Sequence, residues 1–209
     1  MRIVLARGAW LDHEPAWLSR EEADRALSAL RDELAWEQRE IVLFGRRVLQ
    51  PRLIAWAGEL GYRYSGQTLE PREFTPTVRR LLDRVRADAG APFNHVLVNR
   101  YRDQDDSMGL HADDEPELGR DPRVATVSLG ADRRFVVRPR RKGDPLRQDL
   151  TMSHGALLVM GGTCQRHYVH GVPRAARAAG ERISLTFRRL HRAPDAEAGP
   201  PGRLLSPAQ

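Results

Sequence analysis

The second half of the chain is built from short apolar runs that leave little room for helices. After Phe93, runs rich in β-branched residues are separated by Gly, Pro and Asp; they occupy residues 96–101, 124–129, 135–139, 156–160, 167–172 and 183–190. Many short strands with no helix between them are typical of antiparallel sandwiches and barrels. This half is therefore predicted to be an all-β structure.

The first half of the chain carries helix signals instead. Ser19 followed by Glu22 is the pattern of a capping box, and apolar residues recur at helical spacing from there to about Trp36. The same spacing predicts a second helix over Pro76–Ala89, and residues 41–48 between the helices predict a hairpin. The predicted fold class is mainly β with N-terminal helices, in the α+β class.

Length and composition indicate an ordinary soluble domain. The chain has 209 residues, of which 41% are hydrophobic and 30% charged. Its one cysteine, Cys164, excludes an internal disulfide and fits a reducing compartment. No apolar run approaches the ~20 residues of a membrane helix, and Arg2 and Arg7 interrupt the N-terminal run that a signal or transit peptide needs. We expect a cytoplasmic monomer with no membrane association.

The basic balance of the chain favours a polyanionic partner. The formal net charge is +6 at pH 7, which is a footprint of nucleic-acid binding. Lys142 is the only lysine among the 34 Lys and Arg residues, which is what a GC-rich codon usage would produce. The net charge therefore supports a nucleic-acid partner, whereas the choice of arginine over lysine does not.

Histidines and a carboxylate are spaced so that they can hold one metal ion. His111 and Asp113 are two residues apart, so a strand would place both on one face. His170 is the candidate for the third ligand. His167 is three residues before His170, so a strand would place these two on opposite faces and only one could be a ligand. Two imidazoles and one carboxylate form the set that holds Fe(II) and leaves positions open for a bidentate co-substrate and O₂. His154, beside a Ser-Gly turn, is predicted to be structural.

Two arginines share a strand face in the last apolar run. Arg182 and Arg188 are six residues apart, an even separation, so they point to the same side. Ser184 and Thr186 lie between them on that side, and the residues in alternation, Ile183, Leu185 and Phe187, face the other way. Asn99 and Tyr101 share a face by the same spacing at the end of an earlier run. The strand is predicted to have one polar face and one core face.

Several motifs of the second half of the chain occur together in one known family: Asn99-Arg100-Tyr101, His111-Ala112-Asp113-Asp114-Glu115, Val127-Ser128-Leu129-Gly130-Ala131, His154-Gly155-Ala156-Leu157-Leu158, His167-Tyr168-Val169-His170 and Arg182 to Arg188. Through these motifs, residues 93–190 resemble the catalytic core of the AlkB family of Fe(II)/2-oxoglutarate-dependent nucleic-acid dealkylases, in particular its eukaryotic DNA-repair branch. Weaker similarity extends upstream through Tyr62-Arg63-Tyr64-Ser65-Gly66 and Leu43-Phe44-Gly45.

The resemblance implies a double-stranded β-helix, or jelly-roll, core with the N-terminal helices packed on one sheet. It implies a single Fe(II)/2-oxoglutarate dioxygenase domain over residues 1–192, with a nucleotide-recognition segment at about residues 40–75. Residues 193–209 are rich in Pro, Ala and Gly and are predicted to form a disordered tail.

The resemblance also implies an activity and its cofactors. The expected reaction is oxidative demethylation or dealkylation of N-alkylated bases, of the 1-methyladenine and 3-methylcytosine type, in DNA and as an alternative in RNA. It is coupled to decarboxylation of 2-oxoglutarate to succinate and CO₂, and consumes O₂. By resemblance, Fe(II) is held by His111, Asp113 and His170, and 2-oxoglutarate by Asn99, Tyr101, Arg182 and Arg188. Arg182 is expected to bind the distal carboxylate as a bidentate pair, and Arg188 to lie near the proximal carboxylate.

Substrate contacts are expected from the upstream segment, because a base must leave the duplex to reach a buried metal. Tyr62, Tyr64 and Ser65 match the nucleotide-recognition segment of the family, and Tyr64 is the candidate for stacking on the base. Phe44 lies at the predicted hairpin turn beside two arginines, where an apolar wedge could fill the gap left by the extruded base. The alternatives are strand packing for Tyr64 and packing on the N-terminal helix for Phe44.

Glu115 is a further candidate for base recognition. If the strand that carries His111 and Asp113 continues, Glu115 shares their face and its carboxylate can accept a hydrogen bond from the exocyclic amine of adenine or cytosine. It would also attract the positive charge that methylation places on these bases. The alternative is a surface ion pair with an arginine, and Asp114, on the other face, is predicted to be structural.

Two other functions fit part of the pattern. An Fe(II)/2-oxoglutarate hydroxylase acting on a protein, lipid or small molecule would share the triad and the arginine pair. A non-catalytic nucleic-acid-binding protein with a vestigial triad would share the positive charge. The presence of every metal and co-substrate position argues against the vestigial alternative.

Overall fold

Two antiparallel β-sheets pack against each other and carry all the long strands of the fold. The structure is a computed structural model, and it describes residues 1–43, 46–64, 67–141 and 146–192. The larger sheet has seven strands and the smaller sheet has four; in spatial order the larger consists of Arg2–Val4, Ala9–Glu14, Ala156–Gly162, Val124–Gly130, Arg182–Arg188, His95–Tyr101 and Leu53–Gly58, and the smaller of Gln148–Met152, Arg133–Pro139, Tyr168–Val172 and Met108–His111. Residues from both sheets form a shared apolar core that includes Phe135, Leu158 and Tyr168. This two-sheet arrangement confirms the predicted fold class.

The bounds of the elements follow chain order. The strands are β1 (Arg2–Val4), β2 (Ala9–Glu14), β3 (Glu40–Leu43), β4 (Arg46–Leu49), β5 (Leu53–Gly58), β6 (Tyr62–Tyr64), β7 (Gln67–Leu69), β8 (His95–Tyr101), β9 (Met108–His111), β10 (Val124–Gly130), β11 (Arg133–Pro139), β12 (Gln148–Met152), β13 (Ala156–Gly162), β14 (Tyr168–Val172) and β15 (Arg182–Arg188). The helices are α1 (Arg20–Glu33), α2 (Pro76–Ala89) and α3 (Cys164–His167), with 3₁₀ turns at Ala6–Gly8 and Pro116–Leu118.

Both predicted helices are present. The capping box at the start of α1 is complete, because the Ser19 hydroxyl accepts from the Glu22 N–H while the Glu22 carboxylate accepts from the Ser19 N–H. The helix ends at Glu33, a little before the predicted end. Helix α2 has the predicted bounds; Thr75 caps its start, and Gly90 ends it in the left-handed conformation that favours glycine, with φ of 58°.

The helices cover the outer face of the larger sheet. Ile183, Leu185 and Phe187 of β15 are fully buried in a core cluster with side chains from α1 and α2. The opposite face of β15 carries the predicted polar residues, but Arg182 and Arg188 are buried too, at 0% and 2% exposure. That face lines the space between the two sheets, so the polar side of the strand is an interior surface.

Each of the six predicted runs corresponds to a strand, although the strand boundaries differ from the predicted ones. The run predicted from His167 begins as strand only at Tyr168, because Cys164–His167 forms a short helix. The hairpin is confirmed by the pairing of Ile41 with Val48 in a two-stranded sheet of β3 and β4. The two N-terminal strands at one side of the larger sheet, β1 at its edge and β2 between β1 and β13, were not predicted. No helix in the described part of the chain is long and apolar enough to cross a membrane.

Candidate metal and co-substrate site

The smaller sheet brings two histidines into direct opposition. His111 is the last residue of β9, and it pairs with His170 in the middle of β14. Their ring centroids are 4.4 Å apart. Asp113 completes a group in which one ligand atom from each residue lies within 4.8 Å of the others. The three residues predicted to hold Fe(II) therefore lie together in the structure.

The route by which Asp113 reaches this group differs from the prediction. Strand β9 ends at His111, and the chain from Ala112 to Glu115 is a loop before the 3₁₀ turn. The expectation that His111, Asp113 and Glu115 share one strand face is therefore wrong. His167 was also assigned to a strand and instead ends the short helix α3, so the alternation argument does not apply to it, although His170 is the histidine in the group.

Asp113 is held as a carboxylate, and only one of its two oxygens has a hydrogen-bond partner among the described residues. Both Nε and Nη2 of Arg188 donate to Asp113 Oδ1, at 2.8 and 2.5 Å. Burial alone would raise the pKa of Asp113, but the Arg188 charge and interactions with His170 outweigh it and hold the pKa well below its usual range. Oδ2 has no hydrogen-bond partner within the described residues and faces His170 Nε2 at 3.4 Å. Such an oxygen, buried and charged, fits a cation.

The protonation state of His111 suits a metal ligand. Its Nδ1 lies 3.0 Å from the carbonyl oxygen of Gly109. A carbonyl can only accept, so Nδ1 carries the proton and Nε2 keeps its lone pair for a metal. Burial, reinforced by His170, lowers the pKa of His111 to about 4, so the imidazole is neutral near pH 7. Two imidazoles and one carboxylate oxygen on one side fit Fe(II) with open positions.

A buried guanidinium on the same face of β15 as Arg188 fits a carboxylate. Arg182 Nε donates to Ser128 Oγ at 2.8 Å, while its Nη1 and Nη2 have no hydrogen-bond partner among the residues the structure describes. Tyr101 pairs with Arg182 across β8 and β15, and its ring centroid lies 5.2 Å from the guanidinium carbon. A buried fork of two free donors matches a terminal carboxylate of 2-oxoglutarate. Asn99 lies on the same face, opposite Ser184.

Comparison with known proteins agrees with this geometry. The family model of the 2OG-Fe(II) oxygenase superfamily matches residues 11–188. The chain is 39% identical over 194 residues to alpha-ketoglutarate-dependent dioxygenase alkB homolog 3 of Homo sapiens, covering 89% of this chain and 67% of that protein. It is 37% identical over 182 residues to the DNA oxidative demethylase ALKBH2 of Mus musculus, covering 81% and 75%. The chain belongs to the AlkB family of 2OG-Fe(II) oxygenases.

A solved structure shares the fold of this chain. The solved structure of OsALKBH1 has a TM-score of 0.60 with 16% sequence identity, and the match covers 90% of this chain and 100% of that one. At this identity the likeness supports the jelly-roll fold alone. The chain spans about two thirds of the length of the alkB homolog 3 proteins that it matches.

Arg133, at the start of β11, is a residue of this AlkB-type site that the sequence analysis missed. It is 2% exposed, and it donates to the backbone carbonyls of Asp103, Asp106 and Pro173 at 3.0, 2.7 and 2.9 Å. It therefore ties the loop before β9 to the chain after β14, and these two strands carry His111 and His170. The signal was present, because strand alternation puts Arg133 on the apolar face of Phe135 and Val137.

Two further residues of the interior were missed. Arg52 Nε donates to Asn99 Oδ1 at 2.8 Å, so the predicted co-substrate residue Asn99 has a protein partner of its own. His95 pairs with Arg188, lies on the same strand face as Asn99, and is 1% exposed. Burial, with the charge of Arg188, lowers the pKa of His95 to about 3. The even spacing from Asn99 could have identified His95 as an inward-facing residue.

The candidate substrate residues that the structure describes lie beside the metal group. Tyr62 in β6 is fully buried, with its ring centroid 5.6 Å from the guanidinium carbon of Arg188. Glu115 is half-buried in the loop after Asp113, where it interacts with Tyr62 and Arg188, and burial raises its pKa. The alternative of a surface ion pair does not fit Glu115. Phe44, Ser65 and the side chain of Tyr64 lie outside the described residues.

The residues predicted to be structural are so. His154 Nδ1 accepts from the Gly130 N–H at 2.8 Å, and its Nε2 lies 3.1 Å from Asp24. Asp114 forms an ion pair with Arg140 on the surface. Cys164 is buried in α3, where burial raises the pKa of its thiol to about 12 and makes it unreactive.

Proposed function

We propose that this protein removes alkyl groups from N-alkylated nucleic-acid bases by oxidation, using Fe(II), 2-oxoglutarate and O₂. The observation that carries the proposal is a pair of unsatisfied groups connected by one face of β15. Arg188 on that face binds Asp113, whose Oδ2 lies near two imidazoles, and the Arg182 fork lies on the same face. The names of the similar proteins, alpha-ketoglutarate-dependent dioxygenase and DNA oxidative demethylase, support it.

Bound iron and 2-oxoglutarate would supply the oxidising chemistry that the side chains lack. His111, Asp113 and His170 would hold the metal on one side. Arg182 would anchor the far carboxylate of the co-substrate, which fixes the orientation of its other end toward the metal. Arg188 keeps Asp113 ionised. It also donates to Oδ1, so that this oxygen is not available to other cations or to water. The role of the protein is to bind, to orient and to keep the site dry.

Glu115 and Tyr62 support a base with positive charge as the substrate. Glu115 follows Asp113 by two residues in the loop and interacts with it electrostatically, and its carboxylate would attract 1-methyladenine or 3-methylcytosine, which carry a charge that the unmodified bases lack. Tyr62 interacts with Glu115 from β6. We propose DNA as the main substrate and RNA as a second one, in keeping with the net charge of +6.

The test is turnover on defined oligonucleotides. Purified protein is incubated with Fe(II), 2-oxoglutarate and single- or double-stranded DNA or RNA that carries one 1-methyladenine or one 3-methylcytosine, and both succinate and oligonucleotide mass are measured. We expect succinate formation to rise with the methylated strand, and that strand to lose its methyl group. If no methylated oligonucleotide changes the rate of succinate formation, the proposed substrate is overturned and a hydroxylase for another class of molecule is favoured.

We also propose that the protein acts as a cytoplasmic monomer. Among the described residues, the exposed large apolar side chains are few and fall in four separate segments of the chain, which supports a monomer: Met1 and Val4, Val48 and Leu49, Leu110, and Leu146. Light scattering coupled to size-exclusion chromatography should give the mass of one chain. A mass of two chains at micromolar concentration would overturn this.

A further inference from the structure

Asp113 differs from the two histidines in how its backbone is held. His111 and His170 lie in β9 and β14 and pair with each other across the smaller sheet. Asp113 lies beyond the end of β9, in a loop that pairs with no described strand. Its position therefore depends on individual contacts of its backbone and side chain.

Gln165 supplies the backbone contact. The side chain is 1% exposed, and its Oε1 accepts a hydrogen bond from the Asp113 N–H at 3.0 Å, across 52 residues of sequence. The other end of the amide, Nε2, lies 3.7 Å from the sulfur of Met160 in β13. A buried backbone N–H needs a partner, and at Asp113 a side chain takes the place of the strand ladder.

Gln165 also lies close in sequence to His170, the second histidine of the metal group. Helix α3 leads directly into β14, so Gln165 lies five residues before His170. The hydrogen bond thus ties the loop that carries the carboxylate to the segment that positions the second histidine. With Gln165 fixing the backbone and Arg188 taking Oδ1, the remaining oxygen, Oδ2, is left toward His170.

We propose that Gln165 is a positioning residue for the metal carboxylate, which it holds through the Asp113 N–H. The proposal rests on the metal site of the proposed function and not on its nucleic-acid substrate. Loss of a group that orients a metal ligand typically costs about 10- to 100-fold in metal affinity. We expect a loss of that size when the acceptor at residue 165 is removed.

Metal affinity tests this directly. Mn(II) is titrated into the metal-free protein with 2-oxoglutarate present, and free Mn(II) is measured by electron paramagnetic resonance. Gln165→Met keeps the length and loses the acceptor, and should weaken Mn(II) binding by about 10- to 100-fold. Gln165→Glu keeps an acceptor oxygen at the same reach and should recover most of the affinity. Cys164→Ala, in the same short helix, should lower the melting temperature and leave Mn(II) affinity unchanged.

Two outcomes would overturn the proposal. One is wild-type Mn(II) affinity in Gln165→Met; the other is a loss of affinity that follows the melting temperature equally in all three variants, which a purely structural role would produce. If Gln165→Met does not fold, hydrogen exchange of the wild-type, metal-free protein decides, because the Asp113 amide should be protected and fast exchange there contradicts the hydrogen bond. Binding of Mn(II) needs no oligonucleotide, so a protein that binds metal yet repairs no base would leave this inference standing.

Discussion

Arginines are buried in the interior between the two sheets and exposed in the hairpin segment near residues 40–75. In β15, Arg182 and Arg188 are buried and held by Ser128 and Asp113. In β4, Arg46 and Arg47 are exposed on a two-stranded sheet. Arginine in the first region is fixed before any ligand arrives, whereas in the second it is exposed to solvent, and Arg47 forms only a surface ion pair of 3.8 Å with Glu40. Rigid strands carry the chemistry, and small hairpins are suited to the recognition of nucleic acid.

This contrast separates two kinds of substitution. Changes in the interior should alter metal or co-substrate affinity, or stability, whatever nucleic acid is offered. Changes in the hairpins should alter nucleic-acid affinity and leave metal and co-substrate binding unchanged.

The largest effect is expected at Asp113. Asp113→Ala should abolish metal-dependent succinate formation, and it should also lower the free energy of unfolding by about 3–5 kcal/mol, because Arg188 is left as an unpaired buried cation. His111→Ala should abolish succinate formation too, with a smaller loss of stability, because no buried charge loses its partner. Succinate assays and urea unfolding of the metal-free proteins measure both effects.

His154→Ala is the matched control for these variants. His154 bonds to the Gly130 N–H and lies outside the metal group, so succinate formation should persist even though some stability is lost. Retained metal-dependent turnover in Asp113→Ala, or its loss in His154→Ala, would contradict the assignment of the site.

The next effect concerns the co-substrate fork. Arg182→Lys keeps the charge and loses the two parallel donors, so the KM for 2-oxoglutarate should rise by an amount equivalent to about 1.5–3 kcal/mol, the range for a lost hydrogen bond to a charged group. Arg189→Lys, at the exposed next position after β15, is the control and should leave this KM unchanged. An unchanged dependence on 2-oxoglutarate in Arg182→Lys would remove Arg182 from the site.

The pH dependence of stability should report on His95. Its pKa is lowered from 6.5 to about 3 by burial, so between these pH values the unfolded chain binds a proton that the folded chain does not. The contribution of His95 to the free energy of unfolding is fully present above pH 6.5. It is lost as the pH falls, at up to about 1.4 kcal/mol per pH unit. His95→Phe should flatten the slope of unfolding free energy between pH 6.5 and pH 5. An identical slope in both proteins would show that folding does not lower the pKa of His95.

How far the sequence predicts this molecule follows from the range of the interactions. The capping box at Ser19 and the bounds of α2 are set by residues within four positions of one another, and both were predicted. The two faces of β15 follow from alternation and were predicted as well. Gln165, the partners of Arg133 and the end of β9 at His111 were not, because their contacts join residues 27 to 59 positions apart. Local periodicity contains no information on such contacts.

The smallest effect is expected in the hairpin, and it tests the other side of the comparison. Arg46 lies exposed in β4, so Arg46→Ala should remove at most one phosphate contact and reduce the slope of log K against log salt concentration by about 1 for duplex DNA. Binding of Mn(II), the KM for 2-oxoglutarate and the melting temperature should not change, because no buried group is touched. Fluorescence anisotropy with a labelled duplex over a range of salt concentrations measures the slope. An equal change in Arg2→Ala, whose exposed guanidinium pairs with Asp12 on β2, would mean that net charge alone acts and that the hairpin has no special part in recognition.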